Sequence, residues 1–142
     1  MSDYRKLKVW EKAHEMVLDV VRVAQKIRSG DFKSLRSQLI RAALSVPTNI
    51  VEGGGQKSWR ERIRYLRYSE NSANETEYHC LVARDLGLLH NADHDRIAGR
   101  IEEIRRMLNG LVKRIERDKD RPDEGCDEKG RTGARSLTAD VL

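Results

Sequence analysis

Ile97, Ile101, Ile104, Leu108, Leu111 and Ile115 follow one another at steps of four, three, four, three and four residues. On a helix of about 3.6 residues per turn this spacing draws one continuous apolar stripe, whereas on a strand it would scatter the same side chains over both faces. So regular a stripe has to be buried against other helices. Three further segments share its character. Trp10, Ala13, Val17, Val20, Ala24 and Ile27 mark a first helix, ended by Gly30. Leu35, Leu39, Ala43, Val46 and Ile50 mark a second, with Asp31 as its cap and the Gly53-Gly54-Gly55 run as its close. Pro47 lies inside that second stripe, and because the apolar period runs through it to Ile50, the sequence predicts a kinked helix there.

Ser58-Trp59-Arg60-Glu61 reads as a capping box that opens a third helix, with Trp59, Ile63, Leu66, Ala73, Thr76, Cys80 and Ala83 facing inward, Ser69 filling the gap, and Gly87 ending it. Four such helices with short links make an all-α, antiparallel up-down-up-down bundle. Composition agrees: aromatic residues are only 5% of the chain, proline occurs twice, and 36% of residues are charged, which suits long surface-charged helices and not a turn-rich β-sandwich. A chain of 142 residues has room for one such domain, placed at residues 1–118. From Lys119 to Leu142 the periodicity stops, and residues 119–142 are expected to form a disordered charged tail.

Two cysteines, Cys80 and Cys126, supply neither a disulfide framework nor a cysteine-rich zinc site, so a reducing, cytoplasmic setting is expected. No signal-peptide core and no run of about 18 apolar residues is present, so neither secretion nor a membrane partner is expected. The chain holds 28 Lys plus Arg against 23 Asp plus Glu, a net charge of +5 that favours an anionic partner without demanding one. The segment 119–142 has five basic and six acidic residues, so the predicted bundle itself carries +6.

Several segments together resemble a known family: Leu7-Lys8-Val9-Trp10 with Ala13-His14, the run Gln38 to Gly53 with its closing Pro, Asn, Glu and Gly, Ser72-Ala73-Asn74-Glu75-Thr76-Glu77-Tyr78, and Ala83-Arg84-Asp85-Leu86-Gly87-Leu88-Leu89. They are similar to the bacterial four-helix-bundle family of 23S rRNA intervening-sequence proteins, related to the accessory variability determinants of diversity-generating retroelements. The resemblance covers residues 4–117 and implies a homopentameric ring without enzymatic activity. In the retroelement relatives the ring is basic, binds nucleic acid and docks on a reverse transcriptase. Glu61-Arg62-Ile63 departs from the aromatic Glu-Phe usual in the family at the third helix, which predicts a more basic and less aromatic face.

The leading candidate site is Lys57 to Arg67, where Lys57, Arg60, Arg62, Arg64 and Arg67 stand against a single Glu61. Positive charges this dense repel one another, and phosphates relieve the repulsion. Arg60, Arg64 and Arg67 share one helix face, and the interleaved Tyr65 and Tyr68 can stack on exposed bases. A solvated charged face with the tyrosines at a subunit interface explains the same pattern equally well. The fourth helix carries Arg96, Arg100, Arg105, Arg106, Lys113, Arg114 and Arg117, but interleaved acids point there to a salt-bridged outer surface.

Gln38, Arg41, Ser45, Asn49 and Glu52 form a polar stripe on the second helix; with Ser72 and Glu75 on the third as partners they predict a bundle network that fixes register. An acid–base pair of Glu52 with Glu75 is the lesser alternative, because no nucleophile accompanies it. The glycine run lacks the P-loop glycines, with Val51 and Gln56 at the required positions, and reads as a helix stop and flexible turn feeding a phosphate-competent Lys57. Glu11-Lys12-Ala13-His14 has no second copy, and the histidines show no ligand spacing, so neither a metal, a cofactor nor a small-molecule substrate is expected. Two readings result: a non-enzymatic basic oligomer that binds nucleic acid, or a scaffolding homo-oligomer with a protein partner that uses Val9, Met16, Val21, Val23 and Leu81 as interface material.

Overall fold

The computed structural model describes residues 3–28 and 30–120, and everything below refers to them. The expectations for the tail beyond residue 120, Cys126 included, fall outside the described residues. Four helices account for most of the described residues: α1 Lys8–Ala24, α2 Lys33–Gly54, α3 Trp59–Asp85 and α4 Asn91–Asp118. Single 3-10 turns at Tyr4–Lys6 and Gly30–Phe32 precede α1 and α2. Neighbouring helices pack in the order α1–α2–α3–α4, and α4 closes back on α1. None of the helices is long and apolar enough to cross a membrane.

The core follows the predicted stripes in the middle of each helix, but Trp10, Leu35, Trp59 and Ile63 are only half-buried at its edge. Every residue of the α4 heptad is buried, with Val112 beside it. On α3 the inward line is Leu66, Ser69, Ala73, Thr76, Cys80 and Ala83, so its buried side chains are mostly small or hydroxylated. Leu39, Ala43, Val46 and Ile50 on α2, and Val9, Ala13, Met16, Val20 and Val23 on α1, complete the core. Full burial of an aliphatic side chain of this size contributes about 1.5–3 kcal/mol. The scaffold reading loses part of its material here. Val9 and Met16 are fully buried and Val23 is 2% exposed, because α1 meets both α2 and α4 and uses more of its circumference than one stripe requires.

Helix ends divide into those that local chemistry set and those that packing moved. Gly87 adopts φ 76°, and the paired bonds Gly87 N–H to Arg84 O (2.9 Å) and Leu88 N–H to Ala83 O (2.8 Å) finish α3 as predicted. By contrast, α1 stops at Ala24 and not at Gly30, although Ile27 remains buried in the connection, where its carbonyl accepts from the Arg36 guanidinium at 2.6 Å. Asp31 does not cap α2. Phe32 packs against the core edge and takes the cap position, so the chain enters α2 without a side-chain cap. Trp59 begins α3 as expected, but the Ser58 hydroxyl makes no capping bond and Glu61 turns forward to Arg64 at 3.4 Å. The guanidinium one turn on is the stronger competitor for that carboxylate.

Around Pro47 helix α2 continues without a break. A proline removes one backbone donor and splays the neighbouring carbonyls. Side chains reach three of them: Thr48 Oγ1 donates to Leu44 O (2.8 Å), Asn49 Nδ2 to Ser45 O (2.8 Å), and Ser69 Oγ on α3 to Val46 O (2.8 Å). The glycine run is not a flexible turn either. Gly53 and Gly54 are helical, and a Cβ on Gly53 would stand 3.2 Å from Tyr65 Cβ and 3.5 Å from Arg62 O. At Gly53 the backbone of α2 approaches α3 closely enough that an added Cβ would press on it.

Candidate nucleic-acid interface

Lys57 to Arg67 spans the α2–α3 connection and the opening turns of α3, and the structure sorts its seven candidates into two groups. Lys57, Arg60, Arg64, Arg67 and Tyr68 are exposed. Arg62 and Tyr65 are turned inward. Arg62 Nε donates to Gln56 O at 2.8 Å, and its side chain lines a narrow recess with Leu7, Ile50, Gly53 and Leu111. The guanidinium thereby closes the α2–α3 connection, so the substitution that was expected to make the face more basic instead holds the loop. Tyr65 lies over Gly53 and meets Tyr68 edge to face, with ring centroids 5.8 Å apart.

Among the exposed cations, Arg64 donates to the Tyr68 hydroxyl at 2.7 Å and stands 3.4 Å from Glu61, while Arg67 pairs with Glu70 at 3.0 Å. Both are solvent-facing pairs within one helix, 60% and 47% exposed on the arginine side, and such pairs contribute well under 1 kcal/mol. Their charges remain accessible to a ligand. Arg60 lies over the Trp59 ring at 5.2 Å, and neither it nor Lys57 has a carboxylate partner among the described residues. The face is therefore better compensated than the sequence count implied, yet its two most N-terminal cations are unneutralised.

The basic residues of α4 behave differently. Asp19 on α1, 9% exposed in its side chain, receives Arg96 in a two-point contact, Nε to Oδ2 and Nη2 to Oδ1 at 2.8 Å each, and Arg100 Nε stands 3.2 Å away. Arg105 bridges Glu102 and Glu77 at 2.9 Å each and donates to Asn74 Oδ1 at 2.8 Å. Arg96 donating to its carboxylate holds the Asp19 pKa below the ordinary aspartate range, outweighing the opposing effect of burial. Sequence reading missed Asp19 altogether. Its one signal was an acid amid the apolar positions Met16, Val17, Val20 and Val23.

The expected polar network is half present. Ser72 Oγ donates to Ser45 Oγ at 2.9 Å, and Asn49 Nδ2 donates to the same oxygen at 2.9 Å, so these three side chains tie α3 to α2. Gln38 bonds only Ser34 on its own helix, and Arg41 and Glu52 are exposed with no side-chain partner among the described residues. Glu75 is exposed and pairs with His79 at 3.3 Å. The Ser72–Ser45 register places Glu75 about 15 Å along the bundle from Glu52, so the two carboxylates do not form an acid–base pair. Burial pushes the Cys80 thiol up to about 12, which leaves it protonated and a packing residue. His14 stacks on Trp10 with centroids 5.0 Å apart.

Comparison with known proteins places the fold. No curated protein matches the chain significantly. A crystal structure of a protein of unknown function from the S23 ribosomal protein family of Bacteroides thetaiotaomicron superposes with a TM-score of 0.69 at 23% identity, covering 74% of this chain and 98% of that one. At that identity the likeness shows the bundle architecture. The sequence profile of the 23S rRNA-intervening sequence proteins matches residues 5–110, from the turn before α1 deep into α4, and the chain belongs to that family.

Proposed function

We propose that this protein is a non-enzymatic nucleic-acid-binding bundle whose contact face is the exposed side of α3. The observation that carries this reading is the row Arg60, Arg64 and Arg67 with Lys57 at its head: all are exposed, and the first two cations along the chain have no carboxylate partner among the described residues, whereas Arg96, Arg100 and Arg105 of α4 are drawn into cross-helix ion pairs. Phosphates would supply the missing counter-charge, and Tyr68 offers a ring beside the row. The family's name refers to an intervening sequence of 23S rRNA, which makes RNA the first nucleic acid to test.

The resemblance to the retroelement relatives supports a homopentameric ring and a role as adaptor to a reverse transcriptase or another nucleoprotein complex. Five copies of a +6 bundle would carry a combined charge near +30, and avidity would multiply weak contacts. A mobility shift with RNA, single-stranded DNA and duplex DNA at two salt concentrations tests binding. With Arg62 withdrawn, four phosphate contacts per site predict a log–log salt slope of about −3 to −4. Salt-independent affinity would overturn the reading. Equilibrium sedimentation tests the ring, and a monomer at all concentrations would remove it. Tyr78 and Leu86, 62% and 52% exposed toward the other end of α3, join Leu18, Leu44 and the half-buried Val21 and Leu81 as material for the scaffolding alternative.

A further inference from the structure

Sequence places the candidate cations on one helix, but the fold brings a second helix to them. Lys119, at the C-terminal cap of α4, holds its ammonium 5.2 Å from the centroid of Trp59, the ring that Arg60 approaches at the same distance. Two cations thus converge on one indole, and neither has a carboxylate partner among the described residues. Lys119 over Trp59 and Arg105 beside Glu77 mark the antiparallel register that the buried core gives α3 and α4, and that register brings Lys113 level with Arg67. Lys113 is exposed and also has no carboxylate partner among the described residues. Glu70 and Glu116 stand beside this seam, yet its charge remains positive.

We propose that the binding surface is this two-helix seam, with Lys113 and Lys119 of α4 joining Arg60, Arg64 and Arg67 of α3, and that its ligand is a single-stranded nucleic acid. The proposal rests on the nucleic-acid reading of α3 and adds both the second helix and the strand class. Two features of the site select a single strand. The first is aromatic: Tyr68, 39% exposed, flanks the arginine row on the side of Tyr65 and α2, and Trp59, half-buried against the core, flanks it toward α4 with the remaining edge of its ring. Such rings engage unpaired bases, whose faces a duplex keeps stacked. The second is steric: α3 is packed between α2 and α4. With α3 and α4 side by side about 8–10 Å apart, the two-helix seam is broader than the single helix that a major groove about 12 Å wide admits, so a duplex cannot meet both of its cation rows by groove insertion.

The test uses the whole protein and a labelled single strand of about 16 nucleotides, as RNA and as DNA, beside the duplex of the same sequence. Tighter binding of either single strand than of the duplex is expected. Lys113→Glu/Lys119→Glu should weaken single-strand binding at least tenfold and make the log–log salt slope shallower by about 1.4, the share of two contacts. Lys113→Gln/Lys119→Gln should give a smaller loss in the same direction, with an unchanged circular-dichroism melt for both variants. Equal affinity for duplex and single strand would overturn the strand class. If the α4 variants bind as wild type while Arg60→Glu/Arg64→Glu/Arg67→Glu does not, the seam is wrong and the α3 reading stands. If neither set changes binding, both fall.

Discussion

On α4, Arg96, Arg100 and Arg105 each reach a carboxylate on another helix, at Asp19, Glu15 and Glu77. On α3, Arg64 and Arg67 reach only Glu61 and Glu70 of their own helix, and Arg60 meets a ring. The two helices are similarly rich in arginine, yet these three of α4 tie helices together while these three of α3 are left toward solvent. What separates them is where the acids lie. Asp19, on a facing helix and only 9% exposed, fixes a guanidinium in place, whereas an acid one turn away on the same exposed helix is a weak and exchangeable partner. Counting charge along a sequence does not distinguish these cases.

Four experiments would break or sharpen that contrast. Charge reversal of the α3 row, Arg60→Glu/Arg64→Glu/Arg67→Glu, should lower nucleic-acid affinity at least a hundredfold, about 2.7 kcal/mol, while moving unfolding stability by only about 0.5 kcal/mol. Fluorescence anisotropy and urea titration of the same samples measure the two effects; a stability loss as large as the binding loss would place these arginines with those of α4. Asp19→Ala should do the reverse. Removing the shared acceptor leaves Arg96 with Asp93 and Arg100 with Glu15 as their remaining partners, and a urea titration should show a loss of about 1–2 kcal/mol, less than for a fully buried pair because the Arg96 side chain is 44% exposed. Binding should be unaffected.

Acid titration isolates the ionic part of that clamp. Because the folded protein holds the Asp19 pKa below its ordinary value of 3.8, the contribution is fully present above that pH and is lost as pH falls through the folded value. The stability gap between wild type and Asp19→Asn should therefore be constant near neutrality and narrow below about pH 4. A gap that stays constant down to pH 2 would show that Asp19 acts through packing alone. The smallest effect concerns the glycines at the end of α2. Gly54→Ala meets nothing within 4 Å and should stabilise by about 0.5 kcal/mol through helix propensity, whereas Gly53→Ala must push against Tyr65 and should gain nothing. Paired thermal melts decide it, and equal melting temperatures would remove the close-approach role of Gly53.

Much of the fold was legible in particular residues. The α4 heptad, the start of α3 at Trp59 and the Gly87 terminator all follow from periodicity or from one residue's backbone freedom, and all three are where the sequence put them. The candidate site was legible only in part. Arg62 looks like its neighbours in sequence, but helical rotation carries it toward the α2–α3 connection, where a backbone carbonyl takes its guanidinium. Of the polar stripe on α2, Ser45 accepts from Ser72 of α3 and from Asn49 of its own helix, while Arg41 and Glu52 are exposed with no side-chain partner among the described residues.

What the sequence determined by itself is whatever a single helix can express: that there are four helices, which stripe of each is apolar, and roughly where local chemistry ends them. Tertiary structure alone decided which charges are partnered. Asp19 gained Arg96 from a position 77 residues away, and Trp59 gained Lys119 from the opposite end of the helical region. Electrostatic energy depends on distance and on the water between charges, and neither is defined until the helices have packed.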